Sequence, residues 1–218
     1  MPGSAERATS LALLFTLADS RLPIGGHVHS GGVEEAVASG LVRDVATVEL
    51  YLRRRIRTSG LVAASLAAAV CSGALEPVCA EAEADARTPA PGARTASRAQ
   101  GRGLLRLAKQ IWPQHDWVAL GSRPHLSTVF GMVGAACAVT PQETAGVVLY
   151  TTLTGAATAA QRLLALDPAA IAACTVRLTD LCDRTAVEAA TGLAALSDPL
   201  QDVLAQRHAQ REMPLFAS

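Results

Sequence analysis

At Thr140-Pro141, Asp167-Pro168 and Asp198-Pro199 a side chain that can cap a helix is followed at once by proline and then by a helix-like run; the one other such pair, Thr88-Pro89, sits in a proline-rich loop. A capping oxygen satisfies a free N–H of the first turn, and proline is at home at the first helical position because it has no N–H to lose. Each of the first three pairs therefore marks a helix start, and together they predict helices over 141–166, 168–196 and 199–209. Glu143 strengthens the first, since it can reach back to the Thr140 backbone as a capping-box partner. No segment shows sustained β alternation and no period of twenty to fifty residues repeats.

The same punctuation runs through the rest of the chain. Thr9 or Ser10 caps a first helix to about Asp19. A short helix over 32–39 stops at Gly40. Asp44 caps the next, in which Val45, Val48, Leu52 and Ile56 make one apolar stripe, with Arg53, Arg54, Arg55 and Arg57 on the other faces. An Ala-rich segment, Leu61 to Val70, continues or follows it. TPAPGAR (Thr88 to Arg94) reads as a loop after the acidic piece Glu81 to Asp85. A helix from Ala96 to Trp112 follows, with Leu104, Leu107, Ala108 and Ile111 as its buried stripe. Another spans His125 to Ala138. Residues 147–160 carry no charge and many Ala, Thr and Gly. That predicts a central helix with neighbours packed close against small side chains. The fold class is all-α: one domain over 1–218, a bundle of about eight to ten helices. It has a flexible N-terminus (1–8), a loop at 86–95 and a docking tail at 210–218.

Composition narrows the function. Aromatic residues are 3% of the chain, fewer than base-stacking surfaces use, and Lys+Arg equals Asp+Glu at 19 each. Nucleic acid is not an expected partner. No run reaches the ~18 apolar residues of a membrane span. LALLFTLA (Leu11 to Ala18) lacks the basic flank and cleavage site of a signal peptide. The five cysteines include no C-x-x-C pair; reduced thiols and a cytoplasmic location follow. The motifs for P-loop nucleotide binding, nucleophile elbows and zinc proteases are absent. Several enzyme classes thereby lose their strongest sequence support, and no cofactor is expected; an enzyme using Glu34 or Glu35 with the histidines His27 and His29 stays a third reading. Charged residues make up only 17%, against roughly 25% in ordinary domains. Another chain covering part of the surface, or simple alanine richness, explains this equally well.

Polar chemistry gathers in LPIGGHVHSGGVEEA (Leu22 to Ala36), where four glycines free the backbone to turn. His27 and His29 form an H-x-H pair able to hold a soft metal, but a closed site needs about four ligands and the nearest carboxylates are Glu34 and Glu35. The histidines are read first as one buried hydrogen-bonding imidazole and one exposed imidazole, with metal ligation as the alternative. Glu34 and Glu35 point about 100° apart on a helix and do not converge as an acid–base pair. One is read as a cap or Arg partner, the other as solvated. The Arg53–Arg57 cluster is a solvated face or a dock for an acidic patch. Leu215 and Phe216 follow a polar stretch, and an apolar end of this kind docks on this chain or on another.

Five segments in order resemble the UreF family of urease accessory proteins. They are LPIGGHVHSGGVE; RAQGRGLL at Arg98 to Leu105; HLSTVFGMVG at His125 to Gly134; Tyr150 to Leu166, ending GAATAAQRLLAL; and His208 followed by PLFAS. The His-Val-His-Ser-Gly-Gly version is similar to an actinobacterial branch. The resemblance implies an all-helical, non-catalytic, dimeric protein. It joins a second accessory protein (UreD, also called UreH), recruits the GTPase UreG, and serves nickel insertion into apo-urease. It implies partner-binding roles for Gly25, Gly26, Ser30, Gly32, Glu34, Arg98, His208, Leu215, Phe216 and Ser218. The alternative is a nickel-binding metallochaperone using His27 and His29. The chain departs from the family pattern at Pro214, where Arg is usual, at Ala165 to Pro168, where Pro-x-Gly-Gln is usual, and at His27, where an aromatic is common.

Overall fold

The computed structural model describes residues 10–24, 26, 29–196, 198–211 and 215–216. Gly25, His27, Pro214, Ser218 and the N-terminal segment 1–8 lie outside the described residues. Eleven α-helices follow in order: α1 Leu11–Leu17, α2 Val33–Ala38, α3 Val45–Arg55, α4 Leu61–Cys71, α5 Pro77–Ala86, α6 Pro91–Ile111, α7 Leu126–Ala136, α8 Pro141–Leu164, α9 Pro168–Arg177, α10 Thr179–Ala189 and α11 Pro199–His208. A single π turn, Ile56–Gly60, joins α3 and α4 into one rod. The architecture is all-α, with no strand among the described residues.

The capping signals act as their chemistry dictates. Thr140 accepts the Glu143 N–H at 3.2 Å while Glu143 Oε2 accepts the Thr140 N–H at 2.9 Å, a closed capping box at the head of α8. Asp167 and Asp198 cap α9 and α11, and Pro141, Pro168 and Pro199 occupy first-turn positions. Ser10 caps α1. Asp44 caps α3 through Thr47 at 2.8 Å. Gly40 takes a left-handed φ of 72° just after α2.

α8 is the axis. Leu149 and Leu153 are fully buried on it, and α2, α3, α4, α7, α9 and α10 all pack against it. The α4–α7 contact supplies the other large interface, where Gly131 lets α7 approach α4 closely: a Cβ there would meet the Ala67 carbonyl oxygen at 2.6 Å. Not every small residue of α8 is covered, since a Cβ built at Gly155 meets nothing within 4 Å. Gly155 faces a cavity instead of a neighbouring helix.

Three segments differ from their sequence reading. The loop at Thr88 to Arg94 is shorter, because Pro91 and Gly92 already belong to α6. Pro91 is at its first turn, and Gly92 is where α11 crosses, 2.9 Å from the Ala205 carbonyl oxygen to a would-be Cβ. The helix expected over 168–196 breaks at Leu178 and ends at Ala189. Leu178 is wholly buried, and its N–H bonds back to the Thr175 carbonyl. One straight rod would not reach both surfaces, since α9 packs on α3 and α8 while α10 packs on α4 and α8. Finally, Ile111 is half-exposed: α6 outruns the core by its last turn, while Leu104 and Ala108 remain buried.

No helix of the described residues is long and apolar enough to cross a membrane.

Candidate functional site

The glycine turn is built by its backbone. Gly31 and Gly32 have φ of 60° and 86°, left-handed values that glycine adopts without a Cβ penalty. A Cβ at Gly32 would lie 2.6 Å from Gln201 Nε2 and 2.9 Å from the Tyr51 hydroxyl oxygen. Both groups crowd there because they share one acceptor. The Gly31 carbonyl takes the Tyr51 O–H at 2.9 Å, the Gln201 Nε2–H at 2.7 Å and an Arg55 Nη1–H. The turn is thereby bolted to α3 and α11.

Beyond the turn, α2 carries Glu34 inward. Ser30 is fully buried, and its hydroxyl accepts the Glu34 backbone N–H at 3.4 Å. The Glu34 side chain is 6% exposed. Its Oε2 lies 2.9 Å from His208 Nε2 and accepts the Phe216 N–H at 3.0 Å, while Oε1 accepts the Leu215 N–H at 2.8 Å. Burial pushes this carboxyl up. The Leu215 amide, the His208 ring and the Phe216 amide outweigh it and hold the pKa below the ordinary carboxylate value. Arg211 reinforces the arrangement with a 2.8 Å bond to Glu35. Phe216 is buried, with the Arg162 guanidinium carbon 5.7 Å from its ring centroid. Leu215, by contrast, is 80% exposed.

The sequence reading is corrected here in one respect. Neither glutamate is solvated: Glu35 pairs with Arg211, and Glu34 is a buried acceptor for the chain's own tail. The reason is the packing of α2 on α11, which turns Glu34 toward His208. The tail docks on this chain through Phe216.

Arg98 belongs to a second cluster. It donates to Glu81 at 2.8 Å, to Asp85 at 2.8 Å and to the Arg123 carbonyl at 2.6 Å. His125, 1% exposed, bridges Asp85 and Ser97, each at 3.0 Å, and its backbone N–H reaches Glu81 at 2.8 Å. The His125 ring, then Arg98, hold the Asp85 carboxyl below its ordinary pKa against the opposing effect of burial. The acidic piece of α5 is thus a socket tying α6 to the start of α7. No hydrogen bond joins this cluster to Glu34; the two face each other across a cavity of ≈ 340 Å³ bordered by Ser30, Gly31, Phe216, Ser97 and His125.

Arg53, Arg54 and Arg57 are exposed, as a solvated face would be, yet Arg53 and Arg54 also have carboxylate partners. Arg54 binds Asp198 through Nε at 3.0 Å, and Arg53 and Arg177 share Glu49. Arg54–Asp198 and Arg177–Glu49, like the Tyr51–Gly31–Gln201 bolt, join residues far apart in sequence and left no local signal, whereas Arg53–Glu49 is a local i,i+4 pair. Gly26 borders the cavity. Among the described residues no group of three or more His, Cys, Asp or Glu side chains is placed to hold a metal ion. His27 is outside them, so the H-x-H pair stays an expectation.

Comparison with known proteins agrees with the resemblance. The sequence profile of the family described as UreF matches residues 42–179. The urease accessory protein UreF of Mycobacterium sp. (strain JLS) is 66% identical over 210 residues, 96% of this chain and 100% of that protein. That of Mycolicibacterium vanbaalenii is 65% identical over 213 residues, with the same coverage. The one from Mycobacterium tuberculosis (strain CDC 1551 / Oshkosh) is 59% identical over 210 residues. The relatives' matches cover nearly the whole chain where the profile covers its central helices, and the chain belongs to the UreF family of urease accessory proteins.

Proposed function

We infer that this chain is a non-catalytic assembly factor. It joins UreD (UreH), recruits the UreG GTPase, and so serves nickel insertion into apo-urease in the cytoplasm, acting as a homodimer. The observation that carries the reading is the tail: Glu34 seats its backbone and Phe216 is packed, yet Leu215 is left facing outward. A side chain held out by a fixed backbone is a preformed contact, and preforming a segment lowers the ordering cost of binding. In this reading Leu215 and Ser218 meet the partner. Gly25, Gly26, Ser30, Gly32, Glu34 and His208 shape and hold the turn and tail, and Arg98 keeps the facing wall in place. Both oxygens of Glu34 receive donors of this chain, which suits a fastener better than a general base.

The test is capture by the cognate UreD. Deleting residues 211–218 abolishes capture while helix content by circular dichroism is retained. Capture at the wild-type level by the truncated chain removes the tail from the mechanism.

A further inference from the structure

From Ala86 to His115 the chain contains no Asp or Glu, yet it carries six cations: Arg87, Arg94, Arg98, Arg102, Arg106 and Lys109. The first three are spent inside the fold, on Glu83, Asp85 and Glu81 of α5. The last three are not. Arg102, Arg106 and Lys109 are exposed, and none of them takes part in the thirteen ion pairs that form among the described residues. Asp116, the next acid along the chain, is turned to its own loop, where Oδ1 accepts the Val118 N–H at 2.8 Å.

Steps of four and three put these cations in one row along α6, about 10 Å long at ~1.5 Å of rise per residue. The opposite side of the helix, Leu104 and Ala108, is buried, so the row stands on the solvent side. Like charges four residues apart repel one another within a helix, and no carboxylate of the described fold offsets that repulsion. The row runs beside the start of the glycine turn: a Cβ at Gly103 would lie 3.0 Å from Ile24 Cα, and Pro23 is exposed next to it.

The geometry discriminates among anionic partners. With 3% aromatic residues and balanced charge, the chain lacks the stacking groups and the field that nucleic acid uses. Anionic lipid is held by clusters of about four to eight Lys/Arg, and a single row of three falls short of that. A straight row at helical spacing is matched by a second helix whose carboxylates repeat at the same spacing. Such complementarity fixes register and speeds encounter. We propose that Arg102, Arg106 and Lys109 dock an acidic helix of a partner protein, with carboxylates at positions i, i+4 and i+7 facing the three cations. This face is separate from the tail, and residues 211–218 take no part in the docking.

The probe is a synthetic Ala/Gln-based peptide of about 18 residues, long enough to form a helix, with Glu at i, i+4 and i+7. A second peptide of the same composition has its glutamates moved off one face. Each is titrated into the purified full chain and followed by fluorescence anisotropy, and backbone amide NMR shifts locate the contact. The aligned peptide should bind saturably, weaken as salt rises, and shift amides along residues 102–109 and at Ile24. The shuffled peptide should bind at least about threefold more weakly. Arg106→Glu and Lys109→Glu should each weaken the aligned peptide about tenfold. Arg57→Glu, which reverses an exposed cation on the α3–α4 rod, should leave its affinity unchanged. Circular dichroism checks each fold; should Arg106→Glu not fold, Lys109→Glu decides alone. No saturable binding, equal affinity for the shuffled peptide, an equal loss in Arg57→Glu, or tighter binding to phosphatidylglycerol vesicles or to duplex DNA would overturn the proposal.

Discussion

At the scale of the residue, Glu34 does more than any other side chain named above. It is one buried carboxylate answering three N–H donors from α11 and the tail. Bonds to a charged acceptor contribute about 1.5–3 kcal/mol each when broken singly. Glu34→Gln keeps the shape, loses the charge and brings an NH2 toward those donors. The expected loss is about 2–3 kcal/mol in urea unfolding, with faster proteolysis of the tail. The same group predicts a pH effect. Its pKa is lower folded than unfolded, so its contribution is complete above the unfolded value of ~4.3 and fades as pH falls through the folded value. Tail protection against limited proteolysis should therefore drop in acid for the wild-type chain and be flat across that range for Glu34→Gln. Leu215→Asp separates function from stability. It should leave the unfolding free energy in urea within ~0.5 kcal/mol of wild type, because Leu215 is exposed, yet weaken capture by UreD. A variant that captures UreD normally removes Leu215 from the interface.

At the scale of the element, the close approaches decide which substitutions the bundle tolerates. A Cβ at Gly101 of α6 would lie 2.2 Å from the Pro124 carbonyl oxygen, and 2.9 Å from the backbone of His125 and Leu126. Backbone cannot swing aside as a side-chain tip can. Gly101→Ala should cost about 1–3 kcal/mol by overpacking, and should loosen the Arg98–His125 socket at the head of α7. Gly155→Ala is the control: its Cβ meets nothing, α8 gains helix propensity, and stability should rise by up to ~1 kcal/mol. Chemical denaturation of the pair checks both signs. The capping readings were legible because a cap and its proline lie within a few residues of each other. The break at Leu178 was not, because it answers to α3 and α4, which occupy a different part of the chain.

At the scale of the whole molecule, the thiols report how well the bundle is closed. All five cysteines are free, and only Cys79 is exposed. Burial pushes Cys137 and Cys182 up to about 11, so neither is a thiolate at neutral pH. An aromatic disulfide reagent should therefore label one thiol rapidly in the native chain and all five after unfolding. Several fast thiols in the native chain would mean that α7 and α10 open readily. The cavity belongs to this scale too: its walls come from the glycine turn, both halves of the α3–α4 rod, α5, α6, α7, α8, α11 and Phe216. Low charge and the small side chains of residues 147–160 suggested close packing. The assembled bundle packs six helices around α8 yet leaves Gly155 facing space.

Sequence alone determined that the chain is all-helical, where most of its helices start, and where the glycine turn and the apolar segment Leu215–Phe216 lie. Those properties are set by caps, prolines, glycines and periodicity, interactions spanning a few residues. The tertiary structure decided what those features touch: Glu34 with His208 and the tail, the Gly31 carbonyl with Tyr51, Arg55 and Gln201, Arg54 with Asp198, and Arg98 with the acids of α5. Partners such as Glu34 and Phe216 lie up to 182 residues apart. Hydrogen bonding is short-ranged, so such pairings exist only once helix packing has brought the two ends of the chain onto one surface.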